Sequence, residues 1–294
     1  MNIKAQLLVM IAATCWGMLG MFSRPLTAAG MSVVDLAASR NMAAAVCFVL
    51  LLLVLDKEKL KIKIKDIWIF VCMGLFGLAV TSMLYFVTIN LTSLSVASIL
   101  LYIFPYLVML QSAVIFKEKI TIQKVSALLI AFTGCVLTVG FDRTEVPLLG
   151  ILTGLSAALF LSVYTIFGKF ALKKYDPLTV SVYPVIMAGV LLVPFCDFQN
   201  IIYLAHGPNS ILPNLIALVI FITVIPTMCF MKGLSKLEPS RVSIISFVEI
   251  IAAAIVGIVV FSEMLSITRI FGMTLIFIAL IILNLHRHKK DLVK

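Results

Sequence analysis

Leu94-Ser-Val-Ala-Ser-Ile-Leu-Leu-Tyr-Ile-Phe104 returns 145 residues later as Pro239-Ser-Arg-Val-Ser-Ile-Ile-Ser-Phe-Val-Glu249, and that correspondence decides the fold. The same offset lays Val114-Ile-Phe-Lys-Glu118 over Val259-Val-Phe-Ser-Glu263, and sets Thr121 and Lys124 on Ser266 and Arg269. Both copies sit in apolar runs long enough to cross a bilayer, for which about 20 residues suffice. Working outward from them, ten such runs can be read: near 5–23, 33–55, 66–88, 94–115, 121–140, 148–169, 177–195, 211–231, 240–261 and 266–285. The first run is too long for a signal-peptide core and has no small-residue cleavage site, so it is expected to stay as a helix. The gap near 196–210, with Gly207, Pro208 and Asn209, reads as a surface loop.

Composition agrees with a chain that lives in lipid. Residues are 63% hydrophobic and 12% charged, against about 25% charge in a soluble domain. The formal net charge of +10 does not describe a nucleic-acid face, because the cations lie in short gaps between apolar runs. With the N-terminus placed in the cytoplasm, 19 of the 23 Lys and Arg fall in cytoplasmic segments, from Lys4 through the Lys57–Lys65 loop to Arg287 and Lys294. Only Arg24, Arg143 and Arg269 fall outside, and Arg40 lies within a span. That asymmetry predicts a multi-pass protein of the plasma or inner membrane with both termini cytoplasmic.

Five spans per half is an odd number, so the second copy enters the membrane from the opposite side. The reading is an all-α integral membrane protein of ten transmembrane helices, built as two inverted five-helix repeats, 1–140 and 141–294. Inverted repeats of this kind belong to secondary transporters, whose substrate sites lie near mid-membrane at the repeat interface.

Glu249 is the lone carboxylate of its span. An intramembrane acid costs about 2.5–3.5 kcal/mol to insert and normally faces a protein interior, a wet cavity or a partner. It is therefore read as a substrate-binding and coupling residue, or else as a packing residue paired with Lys169, Arg40 or a hydroxyl. Ser246 shares its helical face, with Ala253 and Gly257. Phe104 takes the place of Glu249 in the first half, flanked by Tyr102 and by Pro105. Thr81, Tyr85, Trp16 and Tyr164 are further polar or aromatic candidates for the wall of a substrate pocket. Arg40 fits either a helix-end role or anion binding. The six cysteines come one to a segment, a pattern of packing residues rather than of a zinc site or a disulfide framework.

With these residues in place, the chain resembles the EamA family of the drug/metabolite transporter superfamily. The marks are Cys15-Trp-Gly17, Arg40, Tyr85-Phe86, Leu100-Leu-Tyr-Ile-Phe-Pro105, Phe116-Lys-Glu118 with Gly134, Glu249, and Phe261-Ser-Glu263. In one departure Ile250 stands where the family often has Pro, which removes a helix kink beside the carboxylate. The resemblance implies a small-metabolite carrier, commonly an exporter of amino acids or related compounds. Uptake, or efflux of drugs and organic cations, is the alternative within the same fold. The expected partners are a small-molecule substrate, the lipid bilayer and protons as coupling ion, with no nucleic acid and no cofactor. No Gly-x-x-x-x-Gly-Lys-Ser/Thr loop is present for ATP. A channel would need rings of charge or repeated filter loops, and an intramembrane enzyme a convergent catalytic cluster; the sequence has neither.

Overall fold

Ten membrane-length helices carry the chain: α1 Ile3–Ala28, α2 Val33–Val54, α3 Ile64–Leu91, α4 Leu94–Ile115, α5 Ile122–Val139, α6 Leu148–Ala171, α7 Pro177–Phe195, α8 Leu212–Lys236, α9 Pro239–Phe261 and α10 Ile267–Leu285. The computed structural model describes residues 2–140, 146–206 and 210–285. Arg143, the Gly207-Pro208-Asn209 turn and the tail from His286, with Arg287, Lys289, Lys290 and Lys294, lie outside the described residues.

Side-chain chemistry starts these helices where the sequence supplies caps. Ser32 accepts the Asp35 amide at 3.1 Å and donates to the Asp35 carboxylate at 2.6 Å, so a local box opens α2. Thr121 caps α5 by accepting the Lys124 amide at 3.3 Å, and its repeat image Ser266 caps α10 by accepting the Arg269 amide at 3.2 Å.

Packing follows the repeat. Helix α3 lies along α6, and its image α8 lies along α1; α4 meets α6 as α9 meets α1; α5 pairs with α10 and α2 with α7. Large apolar side chains such as Val46, Leu50, Leu110, Leu152, Val259 and Phe277 point outward, while Ser162, Ser181, Ser240 and Ser243 are wholly buried. That inside-out distribution suits a lipid surround, where the backbone is satisfied within helices and the few polar groups turn inward.

Helices α5 and α10 approach each other closely, backbone to backbone. A Cβ added at Gly134 would lie 2.6 Å from the Gly272 carbonyl oxygen and 3.0 Å from the Ile276 nitrogen. Backbone atoms cannot yield as a side chain can. Gly134→Ala is expected to destabilise the protein by about 1–3 kcal/mol through overpacking, read as a lower unfolding midpoint in detergent.

One sequence expectation is corrected. The stretch after α7 is not simply a loop, because Phe198–His206 forms a helix. Ile201, Leu204 and Ala205, at three- and four-residue spacing, pack on the cluster of Leu26, Met31, Leu36, Ile211, Leu218 and Ile222. The adjoining Cys196 thiol is pushed up to about 11 by burial, and then by Asp35, so it stays neutral.

Candidate functional site

Spans α3, α4, α8 and α9 depart from regular α-geometry, in repeat-related pairs. Helix α4 is interrupted by a turn at Tyr102–Ile103, between Leu94–Leu101 and Phe104–Ile115. Helix α9 is interrupted at Ser246–Phe247, between Pro239–Ile245 and Val248–Phe261. In α9 the break needs no proline. Tightened bonds from the Phe247 amide to Ile244 O (3.2 Å), Glu249 to Ser246 (3.0 Å) and Ile250 to Phe247 (3.1 Å) make it, so the kink expected to be lost with Ile250 is present. The other pair widens instead. Cys72–Val80 of α3 and Leu218–Val224 of α8 are π-helical, and the 145-residue offset superposes them to within a residue or so. Single π-segments inside α-helices recur at functional sites.

These breaks set Glu249 in the first turn of the resumed half of α9, at its positive dipole end. The carboxyl has the Tyr102 phenol as hydrogen-bonding neighbour, with Tyr85 and Cys135 within electrostatic reach. The Tyr85 hydroxyl bonds Ser98 Oγ at 2.9 Å. Tyr102 stacks on Phe247 at 5.4 Å and leans on Phe104 at 6.3 Å. Glu249 is part-buried and keeps some of its surface accessible. On the far side Gly17 of α1 leaves room for the α9 backbone, since a Cβ there would meet Ala252 Cβ at 2.6 Å.

Other candidates fall elsewhere. Trp16 and Tyr164 gather around Phe230, at 5.3 and 6.1 Å, as a second aromatic group. Ser246 donates to Val242 O at 3.1 Å and Thr81 to Phe76 O at 2.9 Å, so both hydroxyls are committed to backbone. Lys169 donates to the carbonyls of Leu234 and Leu237, each at 2.7 Å, and is not the partner of Glu249. The structure thus groups Glu249, Tyr102 and Tyr85, and adds Ser98, Cys135 and Phe247, which carry no motif and are found only by the folding of the spans onto one another.

At each membrane face the repeat builds a second device. Lys117 and Ser262, image positions, both sit at φ 54° and end α4 and α9 in the left-handed conformation. The next residue folds back: the Glu118 amide bonds Ser112 O at 3.2 Å, and the Glu263 amide bonds Gly257 O at 3.0 Å. Each Glu then pairs with the base six residues on, Lys124 or Arg269, and each reaches into the other half of the molecule. On the face that carries the termini, Glu118 accepts from both Lys124 and Ser240, and Lys124 also pairs with Glu238 at 2.9 Å. On the opposite face Glu263 pairs with Arg24 at 3.0 Å and Arg269 at 3.2 Å. The first latch is sealed, its Glu118 and Lys124 side chains 6% exposed. The second is wet, with Arg24 at 51% and Glu263 at 34%. A left-handed Ser is strained where Gly is not, so Ser262→Gly is expected to raise the unfolding midpoint by about 1–3 °C.

A ten-span repeat with broken spans around a carboxyl and matched closures at its two faces has the architecture of a membrane transporter. The chain belongs to the EamA-like transporter family, whose profile matches residues 3–140 and again 148–285. It is 26% identical over 218 residues to an Archaeoglobus fulgidus protein described as an uncharacterized transporter, covering 74% of this chain and 78% of that one. It is also 26% identical over 190 residues to the uncharacterized transporter YxxF of Bacillus subtilis, 63% of this chain and 60% of the relative. A solved crystal structure shares the fold at a TM-score of 0.81 and 17% identity, covering 99% of this chain and all of that one. As a multi-pass membrane transporter the protein handles a small-molecule substrate across a lipid bilayer.

Proposed function

We propose that this chain is a secondary active carrier of the plasma or inner membrane, with both termini cytoplasmic, that exports amino acids or related small metabolites in exchange for protons at Glu249. The two repeats serve as its halves, divided between residues 140 and 141. The matched latches carry this reading. Each is made by the repeated segment of one half and bonded to the other half, so each consists of contacts that exist only while its face is closed. Inverted halves give the two closed states similar energies, and a ligand with modest preference shifts the balance between them.

Proton and substrate compete for one carboxyl. At the more alkaline cytoplasmic side Glu249 is free to take a cationic amino group. At the more acidic outer side a proton displaces it, and the neutral acid returns. Tyr102 and Tyr85 orient the carboxyl, and the Trp16, Phe230 and Tyr164 rings wall the apolar part of the substrate.

Counterflow in proteoliposomes tests the reading. Vesicles loaded with an unlabelled amino-acid panel are expected to accumulate labelled members of that panel, faster when the loaded solute is the matching one. A conductance that grows with voltage and ignores the internal solute would instead mark a channel.

A further inference from the structure

Arg40 is a part-buried cation within a span that the carrier reading so far leaves unused. It lies seven residues into α2, about 10 Å of helix rise from that end of the span. Among the described residues its guanidinium makes no ion pair and no hydrogen bond, and its Nε is wholly buried without a partner. Arg40 is part-buried and keeps some of its surface accessible. Among the described residues no carboxylate, Glu249 included, neutralises it.

The direction it faces follows from its neighbours at four-residue spacing. Leu36 packs with Leu218 and Ile222 of α8, and Ala44 packs in a cluster with Val219. Arg40 lies between them on the same stripe, and so opposite the π-helical segment Leu218–Val224. That segment holds Thr223, 5% exposed, whose Oγ1 is likewise buried and unpartnered. Polar neighbours on α2 are already committed: Asn41 donates to Ala37 O at 2.8 Å and Ser39 to Leu36 O at 3.3 Å. Two polar groups without partners among the described residues thus lie on neighbouring spans, one a permanent cation and the other a hydroxyl donor.

An unpaired buried charge costs several kcal/mol and persists only where a partner arrives. We infer that Arg40 and Thr223 form a binding site for the carboxylate of the transported molecule. One guanidinium in a low-dielectric surround balances one negative charge. A planar monoanion fits its fork, and a phosphate dianion would leave a charge uncompensated. With Glu249 for the cationic end, the substrate class becomes a zwitterion rather than a simple amine. This inference rests on the carrier reading for its biological meaning, but it is tested by binding to the purified protein, so its failure and the failure of transport are read separately.

The experiment follows the unfolding midpoint of the full chain in detergent as sodium acetate replaces sodium chloride at constant ionic strength. Acetate is expected to raise the wild-type midpoint by about 2–4 °C near saturation. The shift should vanish in Arg40→Gln and shrink in Thr223→Val. Without acetate, Arg40→Met should unfold at a higher temperature than the wild type, because an uncompensated charge has been removed. No acetate shift in the wild type, or an equal shift in Arg40→Gln, overturns the site. A lowered midpoint in Arg40→Met would show that the guanidinium is held by the protein itself and is structural.

Discussion

Glu249→Gln is expected to leave the protein folded and to uncouple it from protons. With one proton exchanged per substrate, a pH difference of one unit sustains a substrate gradient of about tenfold. In the variant that ratio should fall to one, and the rate of exchange should become flat across pH. The amide keeps the shape of the side chain and can still bond the Tyr102 phenol, the neighbour that the carboxyl has in the wild type. Removing an ionisable group from the interior also spares its desolvation, so the unfolding midpoint should hold or rise slightly. Steady-state accumulation in proteoliposomes under an imposed pH difference is the measurement. A variant that still accumulates substrate tenfold would place the proton elsewhere.

Lys124→Ala is expected to be the most destabilising single change on the termini face. It leaves the Glu118 carboxylate buried, with Ser240 as its remaining partner. Breaking a buried pair from one side costs about 3–5 kcal/mol, a fall in the unfolding midpoint on the order of 10 °C for a chain of this size. The image change on the other face, Arg269→Ala, should cost less than about 1 kcal/mol, because Glu263 there is part-exposed and keeps Arg24. Replacing both members, Glu118→Leu with Lys124→Met, should recover most of the loss, since a well-packed apolar pair avoids desolvation altogether. Equal effects of the Lys124 and Arg269 changes would mean that burial does not distinguish the two latches.

Much of the frame could be read before any coordinates, and the reasons are physical. Spans and repeat follow from hydropathy and a fixed offset, and both are one-dimensional signals. The alignment of Glu118 and Lys124 with Glu263 and Arg269 was visible as well, but not that each pair reaches across to the other half. Ser240 and Arg24 are distant in sequence and carry no mark of it. The break at Ser246–Phe247 was hidden because it is made by tightened backbone bonds rather than by proline. The widened turns of α3 and α8 likewise have no residue signature. Ser246 and Thr81 looked like pocket hydroxyls, yet in an apolar span a hydroxyl finds its nearest acceptor in its own helix, and both did. Arg40 allowed two readings by sequence, and that its Nε is buried without a partner among the described residues is visible only in three dimensions.

Alternating access itself can be tested without knowing the substrate. In a background with the six native cysteines replaced by Ala, Ser98→Cys places a thiol beside Tyr85 in the Glu249 cluster. Its labelling by a membrane-impermeant thiol reagent is measured from each side of sealed vesicles, with the latches intact and with one broken at a time. Breaking the termini-side latch by Lys124→Ala should speed labelling from that side and slow it from the other. Breaking the opposite latch by Glu263→Gln should do the reverse. If either change instead opened the thiol to both sides at once, or altered neither rate, the two latches would not be the alternating gates of a carrier.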